Sequence, residues 1–145
     1  QPHFVDCGKV NFESEQLKFY HTVEECLLYH KPNVLLLSSV LQYLEKPYDW
    51  LQKFIALNIP YIIIDRTAFV DADRDILTIQ NVPESIYSAS YPAWFFFYSK
   101  FLNALQNNYH LIACFESHEG YVIHLNNKQA RYRGCCLKSK NEENN

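Results

Sequence analysis

Two unbroken apolar runs, Val34-Leu35-Leu36-Leu37 and Tyr61-Ile62-Ile63-Ile64, constrain the fold more than any other feature of the chain. Neither alternates apolar with polar residues, which is the pattern of strands covered on both faces, as in a parallel sheet. Between them Pro47 suits the first turn of a helix, where its missing N–H costs nothing. Trp50, Leu51, Phe54 and Ile55 recur on one helical face, and Asn58 and Pro60 end the element. Strand, helix, strand predicts a parallel pair joined by a right-handed crossover. Ser38 and Ser39 end the first run, and Asp65-Arg66-Thr67 closes the second. In open α/β sheets ligands sit beyond the carboxyl ends of such strands.

The flanking segments extend this pattern. Leu17 to Tyr20 predicts a short strand. Thr22-Val23-Glu24-Glu25 matches a capping box, opening a helix that runs to about His30 and stops before Pro32. Asp71 to Asp75 is a polar loop and Ile76 to Val82 a further strand. Asp71-Ala72-Asp73-Arg74-Asp75 alternates acids like a calcium loop, but Ile76 and Val82 stand where the glycine and the closing glutamate belong. Tyr87 to Tyr98 is dense in aromatics without clear period and reads as a structured loop. Ser99 is placed to cap a helix carrying Phe101, Leu102 and Leu105. Tyr109 to Phe115 and Arg131 to Leu137 read as strands, with turn chemistry at Asn126-Asn127. Lys138 to Asn145 is a polar, frayed tail.

At 145 residues the chain suits one domain. With 48% hydrophobic and 16% aromatic residues it can bury a core, and a formal charge of -3 gives no electrostatic case for nucleic acid or an anionic membrane. No apolar run approaches the roughly 20 residues that cross a bilayer, and no signal peptide is recognisable. Cys7, Cys26, Cys114, Cys135 and Cys136 lack C-x-x-C spacing. They fit small thiols in a reducing, cytoplasmic setting. The three glycines, Gly8, Gly120 and Gly134, are too far apart for a phosphate-cradling loop. No G-x-S-x-G or H-E-x-x-H occurs, so neither serine hydrolysis nor zinc proteolysis is indicated, and no metal is expected.

Five segments taken in order, F-V-D-C-G-K from Phe4, L-K-F-Y from Leu17, L-L-S-S-V-L-Q-Y-L from Leu36, Y-I-I-I-D-R-T from Tyr61 and Y-P-A-W-F-F from Tyr91, resemble a bacterial family of S-adenosylmethionine-dependent methyltransferases of the class I, Rossmann-like type. The resemblance runs from Gln1 to about Leu137. It implies an α/β fold: an incomplete Rossmann-like sheet of parallel strands plus C-terminal antiparallel strands, with helices on both faces. It makes residues 1–137 the C-terminal portion of a methyltransferase-like domain and 138–145 a tail. The family's glycine-rich loop and ribose-binding acid precede the matched region and are not in this sequence. A truncated, impaired enzyme is therefore expected, and an unpaired edge on the Val34 strand, closed by pairing with Leu17 to Tyr20, by further chain, or by a second copy in a homo-oligomer.

The resemblance and the strand-end positions together assign roles. Tyr20, His21, Thr22, Ser38, Ser39, Val40 and Gln42 would bind S-adenosylmethionine. Asp65 and Arg66 would act at the reacting centre, as a base or acceptor-orienting acid and as an anion-holding cation. Tyr43, Thr67, Tyr87, Tyr91 and Trp94 would hold a small-molecule methyl acceptor, with a sugar or glycan precursor suggested by family association. The alternative is a non-catalytic Rossmann-like remnant or oligomerisation module.

Overall fold

The computed structural model describes residues 1–117 and 122–143, so Gly120 lies outside the described residues. The chain divides into two compact units, Gln1–Pro32 and Asn33–Asn145. The first holds two helices, α1 (Pro2–Asn11) and α2 (Val23–Tyr29). The expected strand at Leu17 to Tyr20 does not form. Its backbone groups are used locally: the Leu17 N–H donates to Ser14 Oγ at 3.1 Å and the Leu17 carbonyl accepts from the Ser14 N–H at 2.9 Å. The Phe19 N–H reaches Glu13 Oε1. A segment folded back on Ser14 has no ladder left to offer. Gly8 is buried, and a Cβ there would stand 2.5 Å from the Phe19 ring.

The second unit is a mixed α/β structure built on a seven-stranded open sheet. Its elements are β1 (Val34–Ser38), α3 (Pro47–Ala56), β2 (Tyr61–Val70), β3 (Ile76–Val82), β4 (Ala89–Phe97), α4 (Tyr98–Leu105), β5 (Tyr109–Glu116), β6 (Ile123–Leu125) and β7 (Lys128–Ser139). β1 and β2 are parallel in register from Val34↔Tyr61 to Ser38↔Asp65, joined through α3 as expected. β7 lies antiparallel on the other edge of β2, and β5 lies antiparallel to β7. β3 and β4 form an antiparallel hairpin whose end meets β2 in parallel at Phe69↔Phe96 and Val70↔Phe97. β6 and β7 are joined by the two-residue turn Asn126-Asn127, with Asn126 at φ 53°.

Four expectations are corrected. Asp65-Arg66-Thr67 does not close its strand. The register with β7 shifts between Ile64 and Thr67, Arg66 takes φ 45°, and β2 continues to Val70. The polar triplet is a bulge, which inserts a residue and re-aims side chains without ending the strand. Tyr87 to Tyr98 is not a loop, because Ala89–Phe97 is strand β4. Aromatic residues favour a pleated, half-buried surface, and Pro92 falls where β4 pairs with β3 alone. Ser99 does not cap α4. The N-cap is Phe97, whose N–H donates at 2.8 Å to Asp75 Oδ1, so strand runs straight into helix. The tail is not frayed at its start, since Lys138 and Ser139 complete β7 and Lys140–Glu143 form a 3-10 turn. Buried Ser139 donates to Asn58 Oδ1 at 3.2 Å, and Asn58 sits at φ 51° where α3 ends.

Helices on both faces are not found within the second unit, because α3 and α4 share one face. Tyr48 of α3, Phe69 of β2, Phe96 of β4 and Phe101 of α4 interlock at centroid distances of 5.2–6.4 Å. Asp75 fastens that cluster from beside it. Its carboxylate, 8% exposed, accepts from the Tyr48 hydroxyl at 3.1 Å and pairs with Lys100, whose ammonium also stands 4.4 Å over the Tyr48 ring. On the opposite face Ala68, Val70, Phe95 and Ala130 form a smaller core with Ile76, Ile123 and Leu125 around it. That face is bare at β1. Val34 and Leu36 are 46% and 59% exposed, so the continuous apolar run is covered on one side only.

Two stability tests follow from this packing. A Cβ on Gly134 would collide with the Phe115 ring and stand 2.7 Å from the Ile64 carbonyl oxygen, which belongs to rigid backbone. Gly134→Ala is expected to destabilise by about 1–3 kcal/mol in urea unfolding; an unchanged midpoint would contradict the tight β2–β7 approach. Burial and Cys114 push the Tyr98 phenol up to about 12, and burial with Asp75 also raises Tyr48. Phenols raised on folding stabilise fully below the ordinary value of 10.0 and lose that contribution as pH climbs towards 12. The urea midpoint should therefore fall across that window, and fall less in Tyr98→Phe.

Candidate functional site

The carboxyl end of β1 and the bulge in the middle of β2 meet in one polar cluster. Ser38 Oγ donates to Asp65 Oδ2 at 3.3 Å and accepts from Arg66 Nε at 3.4 Å. Asp65 Oδ1 accepts from the Arg66 N–H at 2.8 Å and from Ser117 Oγ at 3.4 Å. Thr67 Oγ1 donates to the Asp65 carbonyl, and Thr67 is fully buried, so its side chain closes the bulge from inside. The carboxylate is thus oriented by two hydroxyls and one backbone N–H, while Arg66 is exposed.

Gln42 completes this cluster. It is 1% exposed and sits in the 3-10 turn Leu41–Tyr43 that follows β1. Its Nε2 donates to the Arg66 carbonyl at 2.9 Å and to Ser39 Oγ at 3.3 Å. The acceptor at Arg66 fixes which end of the amide is nitrogen, leaving Oε1 buried and without a partner among the described residues. An orphaned buried acceptor calls for a donor. Ser39 and Arg66 both hold positive φ, 56° and 45°, conformations that cost a side-chain-bearing residue about 1 kcal/mol or more. Val40 links this cluster to the turn.

A second group of the expected residues meets further along. Tyr43, Tyr87 and Tyr91 line a cleft of about 460 Å³ with Gln80 and Tyr132. The Tyr43 and Tyr91 rings meet edge to face at 5.5 Å, and Gln80 stands opposite Tyr91 in the β3–β4 ladder. Thr67 and Trp94 are not in this cleft. Trp94 pairs across the hairpin with Leu77.

Tyr20, His21 and Thr22 belong to the first unit, where each has a partner. Thr22 Oγ1 accepts from the Glu25 N–H at 3.0 Å, the N-cap half of the predicted capping box, while the Glu25 carboxylate accepts from the His21 N–H at 2.8 Å, one residue ahead of the Thr22 N–H that a full box would engage. That backbone bond, ahead of Lys9, holds the Glu25 carboxyl below its ordinary value. His21 Nε2 lies 3.0 Å from Asp6, and the Tyr20 hydroxyl lies 2.6 Å from His30 Nε2. The Tyr20 phenol is raised, by desolvation first and then by Cys26 and the nearby carboxylates.

Sequence reasoning missed Ser117, Gln80 and Tyr132. Ser117 follows the carboxyl end of β5, which runs in the direction of β2 because both are antiparallel to β7. The strand-end rule that found Ser38 would have found Ser117 had the strand order been known. Among the described residues no group of three His, Cys, Asp or Glu is placed to hold a metal, and no helix is long and apolar enough to cross a membrane. All five cysteines are free. No family model, curated protein or solved structure matches this chain.

The strained pair gives a test that separates site from scaffold. Ser39→Gly and Arg66→Gly each remove a strained side chain and should leave the urea midpoint unchanged or raise stability by up to about 1 kcal/mol. A loss well beyond that would show these side chains to be structural braces.

Proposed function

We propose that the second unit is the strand-end part of an S-adenosylmethionine-dependent methyltransferase-type domain acting on a small-molecule acceptor. The observation that carries the reading is the convergence of Ser38, Ser39, Gln42, Asp65 and Arg66 where β1 ends and its parallel pairing with β2 stops at the bulge, the side of an open α/β sheet on which ligands bind. The family resemblance supports it, as does the succession of parallel β1 and β2 by antiparallel C-terminal β7 and β5. The donor set suits the cofactor in part. Gln42 Oε1 and the Asp65 carboxylate are acceptors, matched to a ligand rich in amino and hydroxyl donors.

S-adenosylmethionine would supply a methyl group on a sulfonium. The chain's own part is positioning, which in-line transfer needs above all. Asp65, oriented by Ser38, Ser117 and the Arg66 N–H, is placed to orient an acceptor hydroxyl or amine and take its proton. Exposed Arg66 adds a cation at the same edge. The tyrosine cleft takes the acceptor. A cytoplasmic setting suits the five free thiols.

Calorimetric titration of the whole chain with S-adenosylmethionine and S-adenosylhomocysteine tests the reading. Saturable heat is expected, weakened by about tenfold in Gln42→Ala and Asp65→Ala proteins that keep their circular dichroism. Absence of heat at millimolar ligand from folded protein would sink it.

A further inference from the structure

We propose that Cys114 and Cys135 form an oxidisable dithiol, a site at which a small hydroperoxide such as hydrogen peroxide closes a reversible cross-strand disulfide between β5 and β7. The proposal is independent of the methyl-transfer reading, since neither thiol belongs to the polar cluster or lines the tyrosine cleft.

Register brings the pair together. β5 and β7 run in unbroken antiparallel register from Ala113↔Cys136 to Glu116↔Arg133, and Cys114 stands directly opposite Cys135. Directly opposite residues share a face of the sheet, with Cα atoms about 4.5–5.5 Å apart, inside the roughly 4.4–6.8 Å that a disulfide spans. Beside the pair the Phe115 ring occupies the place that a Cβ on Gly134 would take, so the two strands are closely packed there. The same register sets the other thiols aside. Cys136 is opposite Ala113 and, as the neighbour of Cys135, points to the other face. Cys7 and Cys26 belong to the first unit.

The two thiols differ in a way that orders the chemistry. Cys114 is exposed on the edge strand, with the Tyr98 hydroxyl 2.9 Å from its sulfur. The Arg133 guanidinium stands 5.3 Å over the same Tyr98 ring, while the Glu116 carboxylate, opposite Arg133 in the ladder, is engaged by Arg131 at 3.2 Å. An exposed thiol with a cation nearby is the kind that oxidants reach. Cys135 is 2% exposed, and burial first, then Cys114 and Cys136, push its thiol up to about 12. It stays protonated at neutral pH and is shielded from solvent, so it reacts with a sulfur already activated beside it and not with the oxidant directly.

The steps balance. The Cys114 sulfur attacks one peroxide oxygen, the O–O bond breaks, and the thiol proton leaves with the other oxygen as water, giving a sulfenic acid. The Cys135 sulfur then attacks the Cys114 sulfur, the S–O bond breaks, and the Cys135 proton leaves with the hydroxyl as a second water. Two thiols lose two electrons to become one disulfide, and one hydrogen peroxide is reduced to two waters. An added thiol reverses the bridge by exchange.

The test treats the reduced whole chain with a modest excess of hydrogen peroxide, alkylates the remaining thiols and maps the peptides without reduction. Loss of two of the five thiols is expected, with Cys114 and Cys135 recovered as one bridged pair, and dithiothreitol restores both. Fragmentation of the bridged peptide distinguishes Cys135 from the adjacent Cys136, and a Cys136→Ser protein forms the bridge as well. Cys114→Ser changes an exposed position and keeps a polar partner for Tyr98; in that protein Cys135 retains its thiol. A bridge to Cys136, a bridge between two copies, Cys114 recovered as sulfinic acid beside a free Cys135, or no loss of thiols overturns the proposal.

Discussion

The ladder along β2 is what the second unit depends on. Ten residues from Tyr61 to Val70 carry β7 on one edge and, on the other, β1 for the first half and the end of β4 for the second. Both cores are anchored to it. Ile62, Ile64 and Phe69 are buried on the face that carries α3 and α4, while Ala68 and Val70 join Phe95 and Ala130 on the other. Since side chains on a strand alternate faces, a single inserted residue would exchange the two cores unless it were absorbed. The bulge at Arg66 absorbs it, and so the one irregular point of the strand is also where the polar cluster stands.

The hairpin β3–β4 is held to this spine by chemistry of a different kind. Its ladder partners on β2 are only Phe69 and Val70, so ring packing and Asp75 do most of the fastening. One buried carboxylate collects the Tyr48 hydroxyl of α3, the Phe97 N–H at the start of α4 and the Lys100 ammonium. A buried charge is tolerable when paired and fully hydrogen-bonded, and removing a partner from such a hub is more damaging than the net worth of any one bond. The tyrosine cleft is built on a hairpin steadied in this way.

Much of this was legible in the residues. The apolar runs announced β1 and the first half of β2, and Pro47 and Asn58 marked where α3 begins and ends. Ser38, Ser39, Gln42, Asp65 and Arg66 could be named from the polar residues that follow the two apolar runs, and the structure gathers them in one cluster. What escaped depended on partners distant in sequence. Asp65-Arg66-Thr67 looks like a strand terminus, since nothing in three polar residues says that β7 will carry the ladder past them. Leu17 to Tyr20 has strand composition but spends its backbone groups on Ser14 and Glu13. Gln80 looks like one more alternating polar residue until Tyr132, fifty-two positions away, is brought beside it.

The shared edge of β2 leaves a seam. β1 reaches Asp65 and β4 begins at Phe69, so Arg66, Thr67 and Ala68 have no strand beside them there. Gln42 fills the space with its amide, which donates to the Arg66 carbonyl as a neighbouring peptide group would. A side chain is thereby standing in for a piece of main chain. At the seam the Arg66 carbonyl is met by side chains, the Gln42 amide at 2.9 Å and the Ser39 hydroxyl at 3.4 Å. Where main-chain ladder bonds are indifferent to most side-chain changes, this contact depends on which side chain stands at position 42.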